Sequence, residues 1–261
     1  MPGEMLTSPK NPHIQLARSL LEQSKARRKH NSFAAEGARV LEDGLASAAP
    51  LQFILYKSSL TPRAKSVLGQ TKPEQLAFEV EDHLFESLSD TEASQGILGV
   101  FSVPEIHQPA KPGFVLILDQ LRDPGNLGTI LRSAEAAGVQ AVCLPPGTTD
   151  VWAPKVVRSG MGAHFRLPLL QWPWEAISAY VEELAVFHAD MEGQESLWQA
   201  EFRGRTALLI GGEAEGISPE GQQLATHSVR IPMTGETESL NAAVSASVLM
   251  FEVLRQRSQK V

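Results

Sequence analysis

Apolar residues recur at helical spacing over residues 11–28, where Ile14, Leu16, Ala17, Leu20 and Leu21 predict a first helix. The basic run KARRKH leads into FAAEG, a short strand with a glycine turn, and then into a helix over 38–48. LQFILY at 51–56 predicts a buried strand, and TPRAKSVLG a helix with Thr61 as N-cap and Pro62 at its first position. Strands over 77–80 and 96–101 flank a helix over 82–88. Such alternation marks a small α/β domain over residues 1–103. VPEIHQPAKPG, with three prolines, predicts a linker over 104–113. FVLILD at 114–119 is then continuously apolar, as a central parallel strand is. Beyond it the pattern predicts helices over 127–137, near 153–161 and over 174–184, and strands over 140–144, 186–189, 207–211 and 229–231. The segment 114–261 is therefore a second α/β domain with a mostly parallel sheet. Its last helix, 241–257, carries small residues (Ala242, Ala243, Ala246) suited to close approach, and a predicted apolar stripe of Val244, Val248 and Phe251.

Composition adds little, but charge distribution adds something. The 261 residues carry a formal net charge of −7. Residues 1–40 hold seven basic against three acidic residues, and residues 171–229 ten acidic against two basic. The basic end, with Lys25, Arg27, Arg28 and Arg39, is a candidate phosphate-contacting surface, although such a helix is also what a solvated face looks like. The lone cysteine, Cys143, lies in the apolar run AVCLP, which excludes disulfides and cysteine-based metal sites and predicts a buried, inert thiol. No metal is implied. No apolar run reaches membrane-spanning length, and MPGEMLTSPKNP lacks the apolar core of a signal peptide, so a cytoplasmic protein is expected.

Three stretches could carry chemistry. In LDQLRDPGNLGTILRSAEAAG a strand ends at Asp119, Pro124 and Gly125 turn the chain, and Asn126 takes the predicted N-cap position. Arg132 follows on the helix, where it either serves a site or pairs with Glu135. In ALLIGGEAEGIS, Gly211, Gly212 and Gly216 permit close backbone approach after a buried strand. Glu213 and Glu215 there would repel a phosphate, so a cationic or neutral ligand is the better match. In VRIPMTGETESLNAAVSA a strand ends at Pro232 and a polar loop leads through Ser239, Leu240 and Asn241 to a helix N-terminus, which offers free N–H groups. Taken singly, each stretch is also compatible with an ordinary turn or cap.

Together, in this order, the three resemble the motifs of the SpoU (TrmH) family of RNA ribose 2′-O-methyltransferases, in the SPOUT superfamily. DPGNLGTILRSAEAAG resembles the first motif, LLIGGEAEGIS the second and IPMTGETESLNAAVSA the third. Ala242 and Ala243 depart slightly from the commoner residues after Asn241. NPHIQLARSL and FAAEGARVLEDGL are similar, more loosely, to the small RNA-binding domain of ribosomal-protein type that many members carry. The resemblance implies a knotted parallel sheet, a deep trefoil, binding S-adenosylmethionine in the knot loops. Gly211, Gly212, Gly216, Ile231, Pro232, Met233 and Leu240 would then hold the cofactor, with backbone groups of Gly211, Ile231 and Leu240 in contact. Asn126, Arg132, Glu213, Ser239 and Asn241 would form the catalytic set.

The implied reaction transfers a methyl group to a ribose 2′-hydroxyl, a poor nucleophile needing a base or a charge that stabilises its alkoxide. Arg132 would help activate it. Because a guanidinium stays protonated, stabilising the alkoxide is the physically safer description. Glu213 and Asn126 would orient Arg132, and Ser239 and Asn241 would shape the loop. The two-domain layout implies ribosomal RNA as substrate and a homodimer formed through the knotted domain; a tRNA 2′-O-methyltransferase and an rRNA-methylating antibiotic-resistance enzyme are the alternatives. A catalytically silent RNA-binding protein is disfavoured by the intact set, and a dinucleotide-dependent oxidoreductase by the absence of GxGxxG after a strand.

Overall fold

The structure, a computed structural model, describes residues 5–72, 75–89, 94–212, 216–237 and 239–259. Its contacts divide the chain into two compact units, Met1–Glu105 with Asp150–Phe165, and Ile106–Thr149 with Arg166–Val261. Neither boundary follows the simple order of the sequence, because sixteen residues from the middle of the chain group with its beginning.

In the first unit α1 (Pro12–Glu22) opens where Asn11 accepts from the backbone N–H of His13 at 2.9 Å, with Pro12 at its first position. The single helix predicted over 11–28 is broken: Gln23 is extended (φ −123°, ψ 116°) and α2 (Ser24–His30) starts anew. Arg27 bridges the break. Its guanidinium donates to the carbonyls of Leu20 and Leu21 at the end of α1 and, at 2.8 Å, to Asp150 Oδ2. These carbonyls have no helical partner once the chain turns, and the guanidinium fork satisfies them.

There follow β1 (Ser32–Glu36), α3 (Ala38–Ala46), β2 (Leu51–Lys57), α4 (Pro62–Leu68), β3 (Leu76–Val80), α5 (Asp82–Glu86) and β4 (Ile97–Ser102). Thr61 caps α4 as predicted, accepting from Ala64 N at 3.2 Å. The strands form a sheet in the order β1-β4-β2-β3, with β4 antiparallel to β1 and β2, and β3 parallel to β2. One core packs α1 on this sheet through Ile14, Leu20, Phe53 and Phe85. Phe33 of β1 instead packs on Phe101, Trp152 and Phe165 at 4.7–5.9 Å, so residues 150–165 supply two of the rings around it.

The second unit begins with β5 (Phe114–Leu118), α6 (Pro124–Ala136) and β6 (Ala141–Cys143). The chain then contributes α7 (Pro154–Ser159) and a 3-10 turn (Ala163–Phe165) to the first unit. It continues with β7 (Leu169–Leu170), α8 (Trp174–Val181), β8 (Ala185–Ala189), β9 (Glu195–Ser196), β10 (Thr206–Ile210), α9 (Pro219–Leu224), β11 (His227–Arg230) and α10 (Ala242–Ser258). Among the described residues the strand order is β7-β6-β5-β10-β8-β11-β9, and the pairs are parallel. β5 and β10 are buried at every position, as their continuous apolar runs require. Cys143 is buried on β6, and desolvation pushes its thiol up to about 12, which keeps it unreactive.

Helix α10 packs on α6, where Ser247 Oγ donates to Ser133 Oγ at 2.9 Å. Its inward face is Ala242, Ala243, Ala246, Leu249, Met250 and Val253. The predicted stripe of Val244, Val248 and Phe251 is not part of that core: Val244 and Phe251 are 48% and 46% exposed. At the end of α10, Arg257 donates to the carbonyls of Phe202, Gly113 and Gly204 at 2.6–3.0 Å and stacks over Phe114, tying this helix to the start of β5. No helix among the described residues is long and apolar enough to cross a membrane.

Candidate active site

In a parallel sheet the carboxyl ends of the strands share one edge, and there the loops after β8, β10 and β11 enclose a cleft of about 550 Å³. The loop after β10 is built for close approach. A Cβ on Gly211 would lie 2.4 Å from the carbonyl carbon of Gly216, and one on Gly212 the same distance from the Gln120 carbonyl oxygen. Gly212 and Gly216 exchange backbone hydrogen bonds of 3.0 Å in each direction, closing the loop on itself, and Gly216 has φ +67°. Asp119, fully buried at the end of β5, accepts from Ser218 N at 2.6 Å and so pins the far side of this loop to the sheet. Ser218 in turn caps α9, accepting from Gly221 N at 3.2 Å.

Ser239, Leu240 and Asn241 line the cleft opposite the glycines, with Ala242 and Ser245 from the start of α10. A smaller apolar compartment of about 100 Å³ opens from it between Val229, Ile231, Met233 and Leu240. Pro232 is exposed and lines neither compartment. Asp190 is the one acidic residue among the described residues lining the cleft, so the local charge suits a cation rather than a phosphate.

The cap of α6 differs from the expected one. Asp123 is the N-cap, accepting from Asn126 N at 2.7 Å, because Pro124 fills the first helical position and has no N–H that needs an acceptor. Asn126 is thereby freed from capping, and its Oδ1 accepts a 3.0 Å hydrogen bond from Asn241 Nδ2. Asn241 also caps α10, its Oδ1 receiving the N–H groups of Ala243 and Val244 at 2.9 and 3.3 Å. One amide therefore sets the helix start and holds a second amide from the first motif. Arg132, exposed on α6, does not pair with Glu135, which bonds Arg166 at 3.0 Å. Six residues of helix separate Arg132 from Asn126 by about 9 Å along the axis. Glu213 lies outside the described residues.

Two protein-family models match the chain: the SpoU rRNA Methylase family over residues 113–251, and an MRM3-like substrate binding domain over 11–99. The chain belongs to the SpoU rRNA methylase family. Its activity is that of an S-adenosylmethionine-dependent RNA ribose 2′-O-methyltransferase. Among its SpoU relatives is the 23S rRNA (uridine(2479)-2′-O)-methyltransferase of Streptomyces viridochromogenes, 30% identical over 98% of this chain and 94% of the relative. Another is the 23S rRNA (guanosine(2553)-2′-O)-methyltransferase RlmP of Bacillus subtilis, 30% identical over 89% of this chain and 92% of the relative. The SpoU methyltransferase AviRb from Streptomyces viridochromogenes, solved in complex with AdoMet, superimposes with a TM-score of 0.86 at 28% identity, covering 95% of this chain and 98% of that one.

The SpoU cofactor fits this site on local grounds. An apolar slot suits a flat base, and a loop in which Gly211 and Gly212 leave no room for a Cβ suits close backbone contact. Asp119, four residues ahead of the first motif, is expected from sequence only as the end of a strand; an acid directly after a fully apolar strand is the signal for its role in the loop. Of the basic residues proposed for RNA, Lys25, Arg28 and Arg39 are exposed. Arg27 is a correction: it is 7% exposed and its guanidinium is spent on Leu20, Leu21 and Asp150. Arg39 reaches Asp43 at 3.1 Å.

Proposed function

We propose that the chain methylates a ribose 2′-hydroxyl of ribosomal RNA, and that the contact between Asn126 and Asn241 is the part of its machinery that joins the substrate side to the cofactor cleft. That contact carries the reading, because it couples a first-motif side chain to the start of α10 at the rim of the glycine-lined cleft. S-adenosylmethionine supplies an electrophilic methyl group when bound. The second-motif backbone at Gly211, Gly212 and Gly216 holds it closely, and Ile231, Met233 and Leu240 enclose its base. Pro232 shapes the exposed turn after β11. Ser239 and Asn241 would border the reacting end, and Asn126 would orient the ribose. Arg132, positioned with Glu213, would stabilise the alkoxide as the 2′-hydroxyl gives its proton to water, and the methyl group leaves its sulfur as the thioether S-adenosylhomocysteine is released.

The first unit delivers the RNA. Lys25, Arg28 and Arg39 contact phosphates and Arg27 acts structurally, fixing α2 so that its exposed cations share one side. A homodimer forms through α10, whose exposed Val244 and Phe251 need a partner face. The second unit is a trefoil knot, a topology consistent with β10 lying between β5 and β8 and with the backbone contact of Gly211 against residues 216–217. The reaction takes place in the cytoplasm.

Mapping 2′-O-methyl groups on ribosomal RNA from a strain lacking the gene tests this. One ribosomal site should disappear. Persistence of every ribosomal site with loss of a tRNA site would move the substrate to tRNA, and a site formed only in an antibiotic-resistant strain would favour the resistance role.

A further inference from the structure

The cleft of the second unit has two compartments, and one charged residue borders both. The smaller is apolar, between Val229, Ile231 and Met233, and the larger runs past the glycines to Gln222. Asp190, just beyond β8, lines each of them. An adenosyl cofactor has the same division, with a flat base at one end, a sulfonium amino acid at the other, and a ribose with two vicinal hydroxyls between them. A ligand spanning both compartments therefore brings its ribose to the junction.

The junction is firmly built. Asp190 N donates to the Val229 carbonyl at 3.0 Å, and the Asp190 carbonyl accepts from Gly193 N at 3.2 Å. Its Oδ1 accepts from Glu192 N at 3.1 Å, a turn closed by the side chain. Its Oδ2 lies 3.5 Å from His188 Nε2, and His188 also lines the larger compartment. One carboxylate oxygen is thus committed to the loop, while the other stands beside the imidazole at the cleft. A carboxylate facing a vicinal diol accepts hydrogen bonds from both hydroxyls, a solution that dinucleotide-binding sheets reach at another strand end.

We propose that Asp190 accepts hydrogen bonds from the ribose diol of the cofactor and is the residue that makes the cleft select a ribosyl over a deoxyribosyl ligand. The inference rests on S-adenosylmethionine occupying this cleft. His188 is a positioning residue for the carboxylate.

Calorimetric titration of the full chain with S-adenosylhomocysteine, its 2′-deoxy and 3′-deoxy analogues, and 5′-methylthioadenosine tests it. The unaltered protein should bind at least one deoxy analogue about tenfold or more weakly than the parent, because removing the hydroxyl leaves the acceptor unmatched. Asp190→Asn and Asp190→Ser both keep an oxygen for the Glu192 N–H, so the turn survives, and circular dichroism should show an unchanged fold. Both should bind the parent about tenfold weaker and the deoxy analogues within about twofold of it. Variants that still prefer the hydroxylated ligand as the unaltered protein does would overturn the proposal. So would variants that instead lose the preference for S-adenosylhomocysteine over 5′-methylthioadenosine, since that would assign Asp190 to the amino-acid end. An unaltered protein that binds none of the four would overturn the cofactor reading together with this one.

Discussion

Replacing Asn241 with aspartate separates two tasks that its amide performs at once. The Oδ1 atom caps α10 by accepting from Ala243 and Val244, and aspartate keeps that acceptor while adding a charge favoured at a helix N-terminus by about 0.3–1 kcal/mol. The Nδ2 atom donates to Asn126 Oδ1 at 3.0 Å, and aspartate replaces this donor with an oxygen facing an oxygen. Losing that exposed hydrogen bond costs roughly 0.5–1.5 kcal/mol, so the two changes nearly cancel in stability. Asn241→Ala, by contrast, loses the cap as well, about 1 kcal/mol more. If Asn126 must be held to orient the ribose, its displacement by about 1 Å in Asn241→Asp lowers methyl transfer by about 10²-fold. Thermal unfolding should therefore show Asn241→Asp close to the unaltered protein, while single-turnover transfer from S-adenosylmethionine falls and cofactor affinity holds. Combining it with Asn126→Ala should add little further loss, because both act through one contact. Full turnover by Asn241→Asp, or strictly additive losses in the pair, would refute the coupling.

Other outcomes follow from the same geometry. Gly211→Ala places a Cβ 2.4–2.7 Å from the backbone of Gly216 and Ile217; it should open the loop and weaken S-adenosylhomocysteine binding at least 10²-fold by calorimetry, and near-normal affinity would show that the loop is not the cofactor cradle. Arg132→Ala should abolish transfer while leaving cofactor affinity intact; residual turnover with lost affinity would reverse the assigned roles. His164 is fully buried, and desolvation lowers its imidazole from 6.5 to about 4, against a weaker opposing effect of its bond to the Val151 carbonyl. The unfolded chain thus takes up a proton there before the folded chain does, so this contribution to stability is complete above pH 6.5 and is lost as pH falls toward 4, about 1.4 kcal/mol per pH unit. Denaturant melts of His164→Gln against the unaltered protein should show the acid slope flattened in the variant; equal slopes would remove His164 from the cause. Arg257→Ala should destabilise the chain by about 2 kcal/mol in the same melts, since Gly113, Phe202 and Gly204 each lose a charged donor.

Much of this was legible in the chain because hydrophobic runs and glycines act locally. The apolar runs at 114–119 and 207–211 announce buried strands. Of the three glycines expected to allow close backbone approach, Gly211 and Gly212 do so by their Cβ contacts, while Gly216 has open space there and instead takes φ +67°. The misreadings share a physical cause, side chains acting at a distance. Helical periodicity continues through Gln23, but Arg27 satisfies the α1 carbonyls and anchors to Asp150, a residue 123 positions away. Asn126 has a residue type that suits an N-cap, whereas Pro124 fixes the helix start and leaves Asp123 to cap it. The two-residue strands β7 and β9 are too short to show a period, whereas α9 does carry the signals of a start in Ser218 and Pro219. Nor does local sequence reveal that Trp152 and Phe165 pack on Phe33, since that pairing depends on the whole first unit.

The central claim, methyl transfer to a ribose hydroxyl of ribosomal RNA, is tested most directly by incubating the purified protein with unmodified ribosomal RNA and isotopically labelled S-adenosylmethionine, then digesting the RNA to nucleosides for mass spectrometry. The label should appear in a single 2′-O-methylnucleoside, with the methyl retained on the sugar fragment, and Arg132→Ala should give none. Label on a base fragment, or label taken up by tRNA and not by ribosomal RNA, would contradict the account.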